Sequence, residues 1–197
     1  MEWPRLRSAL SPLVEMGEAE YATLCGYIRP RRLLPRQHLF KQDEVCRWVG
    51  FVDSGCLRYY MLDHQAEERI IYFAVEDWWV GDLGSFNGGT RSLYNLQALE
   101  AAQLLLFERE TFPELCRLCP AWERFYRLKT QQAYSAITDR YIQFQALSAE
   151  EKYLQLARKS PSLFQRVPQH YIASYLGIKP QSLSRIRKKL SVEGPAS

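Results

Sequence analysis

Residues Gln169–Lys188, QHYIASYLGIKPQSLSRIRK, read as two short helices joined by a tight turn. Ile172 and Leu176 lie one turn apart on the first segment, and Leu183 and Ile186 are three apart on the second, so each helix offers one apolar stripe to the other. Ile178 in the turn completes this small core. Ala173 is small where the second helix must approach closely. Gly177 stands where the first helix must stop and reverse, a conformation that a Cβ disfavours. Pro180 suits the first helical position, where its missing N–H would be an orphan in any case, with Lys179 in the extended cap conformation. Gln181, Ser182, Ser184, Arg185 and Lys188 are left off the apolar stripe. Such a pair is what a helix-turn-helix needs to present polar side chains to base edges in a DNA major groove.

Charge points the same way. From Lys152 to Val192 there is no Asp or Glu, against nine basic residues: Lys152, Arg158, Lys159, Arg166, Lys179, Arg185, Arg187, Lys188 and Lys189. The segment carries +9 while the whole chain carries +4, so everything outside it sums to −5. A basic face concentrated on one small module is the electrostatic footprint of phosphate binding, whereas a chance basic helix would only be a solvated face. The candidate DNA contacts are therefore Lys179, Gln181, Ser182, Ser184, Arg185, Lys188 and Lys189.

A chain of 197 residues, 47% hydrophobic and 13% aromatic, can hold one larger and one smaller domain, each with its own core. No apolar run approaches the roughly 18 residues of a membrane span. The N-terminal stretch has acidic residues and no signal-peptide core. A cytoplasmic protein with no membrane contact is expected. The five cysteines, Cys25, Cys46, Cys56, Cys116 and Cys119, are too scattered for a secreted disulfide framework. Cys116-x-x-Cys119 lacks the second pair or neighbouring histidines of a zinc site, so two reduced thiols and no metal are expected.

Residues 12–30 read as one or two short helices, with Leu13, Tyr21, Leu24 and Ile28 turned inward. From Arg32 to Phe107, runs rich in β-branched and aromatic residues, punctuated by Gly, Asp and Asn, read as a multistranded antiparallel roll. A helical run follows from Phe112 to Leu147, with Trp122, Tyr126, Ala133, Ile137 and Phe144 drawing a narrow seam suited to a second copy. Ser148 and Glu151 have capping-box spacing and start a new helix. The expected organisation is α+β: a roll over residues 1–120, a long dimerisation helix over 121–147, and a helix-turn-helix domain over 148–197.

An N-terminal β-roll, a long helix and a C-terminal helix-turn-helix, in this order, resemble the Crp/Fnr family of bacterial transcription regulators. The resemblance is carried most by VPQHYIASYLGIKPQSLSRIRKKL, residues 167–190. The stretch WWVGDLGSFNGGTRSL, residues 78–93, resembles the phosphate-binding cassette of cyclic-nucleotide-binding jelly rolls, and FVDSGCLRYY resembles the strand-turn-strand before it. The resemblance implies transcription regulation by a homodimer on a palindromic site in double-stranded DNA, with RNA polymerase as a further partner. It places Gln181 and Arg185 where base-reading side chains project and Ser182 where a hydroxyl meets phosphate, while Pro180 removes one usual base contact.

By the same resemblance Gly81, Asp82, Leu83, Arg91 and Ser92 form the effector pocket, with Asp82 for a ribose hydroxyl and Arg91 and Ser92 for a cyclic phosphate. Here Arg91 is one residue nearer to Asp82 than in cyclic-AMP-binding members, and the small residue after the Arg-Ser pair is Leu93. A pocket without cyclic AMP is therefore expected, lined instead by Trp78, Trp79, Phe86 and Tyr94 for some other small-molecule effector. The cysteine cluster of the iron–sulfur branch is missing, and few residues follow Leu190 for a β-wing. The chain resembles the shortened, effector-orphan branch of Bacteroidetes type. An enzyme is not expected: a cupin-like jelly roll needs clustered metal-binding His and Glu, and the roll has only His38 and His64. A ligand-binding or interaction module with a structural helix-turn-helix is the other alternative.

Overall fold

The computed structural model describes residues 2–193. Pro4 pre-sets the first turn of α1 (Pro4–Leu10), and α2 (Glu18–Tyr27) follows; Leu6, Leu10, Tyr21 and Leu24 are their buried positions. The first helix thus starts earlier than residue 12, at a proline that can only open a helix.

Among the described residues eight strands follow: β1 (Arg29–Leu33), β2 (His38–Phe40), β3 (Trp48–Ser54), β4 (Leu57–Leu62), β5 (Glu68–Ala74), β6 (Trp79–Val80), β7 (Asn95–Ala98) and β8 (Ala102–Glu108). They form two four-stranded sheets, ordered β1-β8-β3-β6 and β2-β7-β4-β5. Apart from the consecutive β4 and β5, neighbouring strands are distant in sequence, as in Gly50 opposite Leu106 and Arg31 opposite Leu104, both antiparallel. That is the jelly roll expected from the strand pattern. On β8, Leu105 and Phe107 point to the helices while the alternate Leu104 and Leu106 are buried on the other face. The short α3 (Leu83–Gly88) sits between β6 and β7.

The helical run from Phe112 is broken: α4 (Phe112–Leu118) ends at Cys119, and α5 (Pro120–Ala146) begins at Pro120, whose lack of an N–H suits a fresh start. The expected seam divides as well. Trp122 is fully buried with Phe125, its ring 4.3 Å from Phe107 and 5.6 Å from Trp79, whereas Tyr134, Ile137 and Tyr141 are 75%, 67% and 66% exposed. Trp122 therefore belongs to the helix's own roll, and Phe144 packs on Tyr175.

The chain forms two compact units: residues up to Tyr59 with Phe73–Ile137, and Tyr60–Tyr72 with the residues from Thr138 on. The division thus falls inside α5. The second unit holds α6 (Ala149–Lys159), α7 (Leu163–Arg166), α8 (Gln169–Leu176) and α9 (Pro180–Glu193). The capping box is formed: Glu151 donates its N–H to the Ser148 hydroxyl, and the Glu151 carboxylate accepts the Ser148 hydroxyl at 2.7 Å and the Ser148 N–H at 2.8 Å, which hold its pKa below the usual value. In the same unit the Ser174 hydroxyl on α8 accepts the Ile70 N–H at 3.1 Å and donates to the Glu68 carbonyl at 3.2 Å, satisfying backbone groups at the edge of β5.

Gly177 ends α8 with φ 71°. No atom lies within 4 Å of a Cβ added there, so only the backbone conformation opposes a side chain. Gly177→Ala should lower the unfolding free energy in urea by about 1–2 kcal/mol, and Gly177→Asn by less, because Asn tolerates the left-handed region. Equal losses for the two would point to crowding instead.

Candidate functional site

The first candidate site is built on α8 and α9. The Gly177 N–H closes onto the Ala173 and Ser174 carbonyls, and the Ile178 N–H returns to Ala173 at 3.0 Å, so the helix end is satisfied through a left-handed glycine. The Lys179 carbonyl then accepts the N–H groups of Ser182 and Leu183 at 3.0 and 3.2 Å and opens α9. Ile172, Ala173, Leu176 and Leu183 are buried between the two helices, with Leu163 and Val167 adding to the buried residues of this unit.

This core leaves one face of α9 outside. Lys179, Gln181, Ser184, Arg185, Lys188 and Lys189 are exposed, and Ser182 is half-buried. Ser184 donates its hydroxyl back to the Pro180 carbonyl at 3.2 Å. Lys189 differs from the rest: its ammonium is held by both carboxylate oxygens of Glu150 at 3.0 Å. A groove of about 660 Å³ beside α9 is lined by Tyr153, Gln169, Ser184, Arg187, Lys188 and Leu190. Gln169 and Arg187 were passed over in the sequence reading. The signal for Gln169 was its place in the first turn of α8, where backbone N–H groups lack helical partners.

The second candidate site is the turn from β6 to β7. Asp82 caps α3, its Oδ1 accepting the Ser85 N–H at 3.1 Å while its Oδ2 accepts the Ser92 hydroxyl at 2.8 Å. Ser92 is fully buried, and its N–H donates to the Glu44 carbonyl at 2.8 Å. Gly81 has φ 145°, and a Cβ there would sit 2.8 Å from Val49. Leu83 packs against the helix-side core. Arg91 pairs with Val45 through the backbone, and its side chain is exposed, with no hydrogen bond or ion pair among the described residues. So Gly81, Asp82 and Ser92 come together and Arg91 does not join them. The adjacent Leu93 is 65% exposed.

The aromatic residues expected to line a pocket do not gather either. Trp79 lies 5.1 Å from Phe125 and Phe86 sits edge-on to Phe112 at 5.2 Å, both in the helix-side core, while Trp78 is exposed. Burial pushes the Cys116 thiol up to about 11 and raises that of Cys119, so both are held as thiols.

Residues 30–118 match the family model of the cyclic nucleotide-binding domain, which covers nearly all of the roll. The roll is therefore similar to a cyclic nucleotide-binding domain. The c-di-GMP-responsive global regulator CLP of Xanthomonas campestris superposes with a TM-score of 0.70 at 19% identity, over 90% of this chain and 93% of that one. FixK2 of Bradyrhizobium japonicum gives 0.67 at 16%, over 85% and 86%, and the catabolite activator protein of Thermus thermophilus gives 0.54 at 20%, over 90% and 85%. In fold and element order the chain is similar to these regulators. No curated protein matches it.

Asp82 holds structure rather than standing open. Asp82→Ala should therefore lower stability by about 1–2 kcal/mol in urea unfolding, having removed both a helix cap and the partner of a buried hydroxyl. An unchanged midpoint would mean that the carboxylate is available for a ligand.

Proposed function

We propose that this chain is a homodimeric transcription regulator that reads a palindromic DNA site with α9, and that its roll does not take cyclic AMP. The observation that carries the reading is the exposed row Gln181, Ser184, Arg185 and Lys188, backed by a buried core, in a segment of nine cations without a carboxylate. Arg185 suits a bidentate contact to guanine and Gln181 a contact to adenine. Ser182, Lys179 and Lys188 are the phosphate contacts, joined by Gln169 and Arg187 along the groove. Lys189 acts differently, because Glu150 already holds its charge. The comparisons support a regulator by fold. Among the described residues, no helix is long and apolar enough to cross a membrane.

The second copy seats on the exposed part of α5. Tyr134, Ile137 and Tyr141 follow each other at steps of three and four, which places them on one stripe of the helix. Two recognition helices then enter successive major grooves about 34 Å apart. The non-convergence of Asp82 and Arg91 supports a roll without cyclic AMP, since a cyclic phosphate needs a cation and N–H groups aimed at one anion.

Selection from a random duplex pool should return a palindrome. On it, Arg185→Ala should cost about 1–3 kcal/mol and relax preference at one base step, while Lys188→Ala weakens all sequences alike. Equal losses on selected and random DNA for both variants would sink the assignment of α9. Ile137→Glu should convert the dimer to monomers in sedimentation, and a dimer indifferent to that change would place the interface elsewhere.

A further inference from the structure

Tyr59 on β4 is fully buried, with its ring edge-on to Phe40 at 6.2 Å. Its hydroxyl oxygen accepts the N–H of Gly81 at 2.6 Å and donates to the Gly81 carbonyl at 3.4 Å. Tyr59 and Gly81 are far apart in sequence, so only the roll brings the phenol to the glycine of the cassette. Asp82, Ser85 and Ser92 in the same turn are also met from within. The Asp82 N–H goes to the Cys46 sulfur at 3.4 Å, and the Asp82 carboxylate goes to Ser85 and Ser92. The Ser85 hydroxyl donates to the Thr90 carbonyl and accepts the Cys46 N–H at 2.8 Å.

A binding pocket for a small aromatic ligand needs an apolar wall and a few convergent polar groups left open for it. Here the apolar wall and the backbone N–H are both occupied by one amphipathic side chain of the same chain, a ring with a single polar handle. We infer that Tyr59 is a built-in surrogate ligand: its phenol fills the roll beside the cassette and holds the Gly81 turn closed, so that the roll keeps one state without a diffusible effector. The inference goes beyond the exclusion of cyclic AMP, because it names what occupies the site instead. It rests on the reading of residues 78–93 as a cassette and is independent of whether α9 reads DNA.

The test uses the full-length protein and the missing side chain itself. Tyr59→Gly should melt at a lower temperature than the wild type, and p-cresol should raise that melting temperature saturably while leaving the wild type unchanged. Millimolar cyclic AMP should shift neither protein. A folded Tyr59→Gly that ignores p-cresol would overturn the proposal, as would a saturable cyclic AMP shift in the wild type. Should Tyr59→Gly fail to fold, Tyr59→Phe keeps the ring and removes only the hydroxyl. Hydrogen exchange at the Gly81 amide should then accelerate on the order of tenfold, and unchanged protection would refute the role of the phenol. None of these measurements involves DNA, so the surrogate ligand and the DNA-reading helix stand or fall separately.

Discussion

Four rings, those of Trp79, Phe107, Trp122 and Phe125, fasten the beginning of α5 to the first sheet, with centroids 4.3–6.3 Å apart wherever two of them touch. The fastening decides which part of the long helix is spent on the roll and which part remains outside. It carries one cost, since the Trp122 indole N–H is buried without a hydrogen-bond partner. An unmet donor costs roughly 1–3 kcal/mol. Ring pairs contribute about 0.5–1.5 kcal/mol each beyond their burial, and truncating a buried Trp costs about 3–5 kcal/mol, so packing outweighs the orphaned donor.

Beyond this anchor the helix changes character. Its first half buries Trp122 and Phe125 in the core shared with β3, β6 and β8, and its second half carries exposed Tyr134, Ile137 and Tyr141. Periodicity alone cannot separate these, because a stripe at steps of four and seven is the same whether sheet or second copy covers it. Trp122 and Ile137 therefore looked like members of one seam, and only the position of β6 beside Trp122 divides them.

What was legible in the sequence was what local chemistry fixes: Gly177 in a left-handed turn, Pro180 opening a helix, the Ser148–Glu151 box and the strand-rich stretch from Arg32. The cassette was legible in part. Its residues could be numbered, and the structure shows Asp82 bonded to Ser92 and the Arg91 side chain exposed. The partners of Asp82 and Gly81 were not legible, because Cys46 and Tyr59 reach the turn across the roll from other strands. Sequence distance hid them. The same holds for Lys189, whose partner Glu150 lies on a different helix.

In the proposed function two sources of affinity would meet on α9, base-edge contacts that specify and phosphate contacts that bind any sequence. The second source is what the charge separation between the basic segment and the acidic remainder provides, and it is the more basic claim. Its direct measurement is the salt dependence of binding to a duplex. Log affinity should fall linearly with log salt, with a loss on the order of a thousandfold between about 50 and 200 mM if six or more phosphates are contacted. An affinity that stays level over that range would contradict the account.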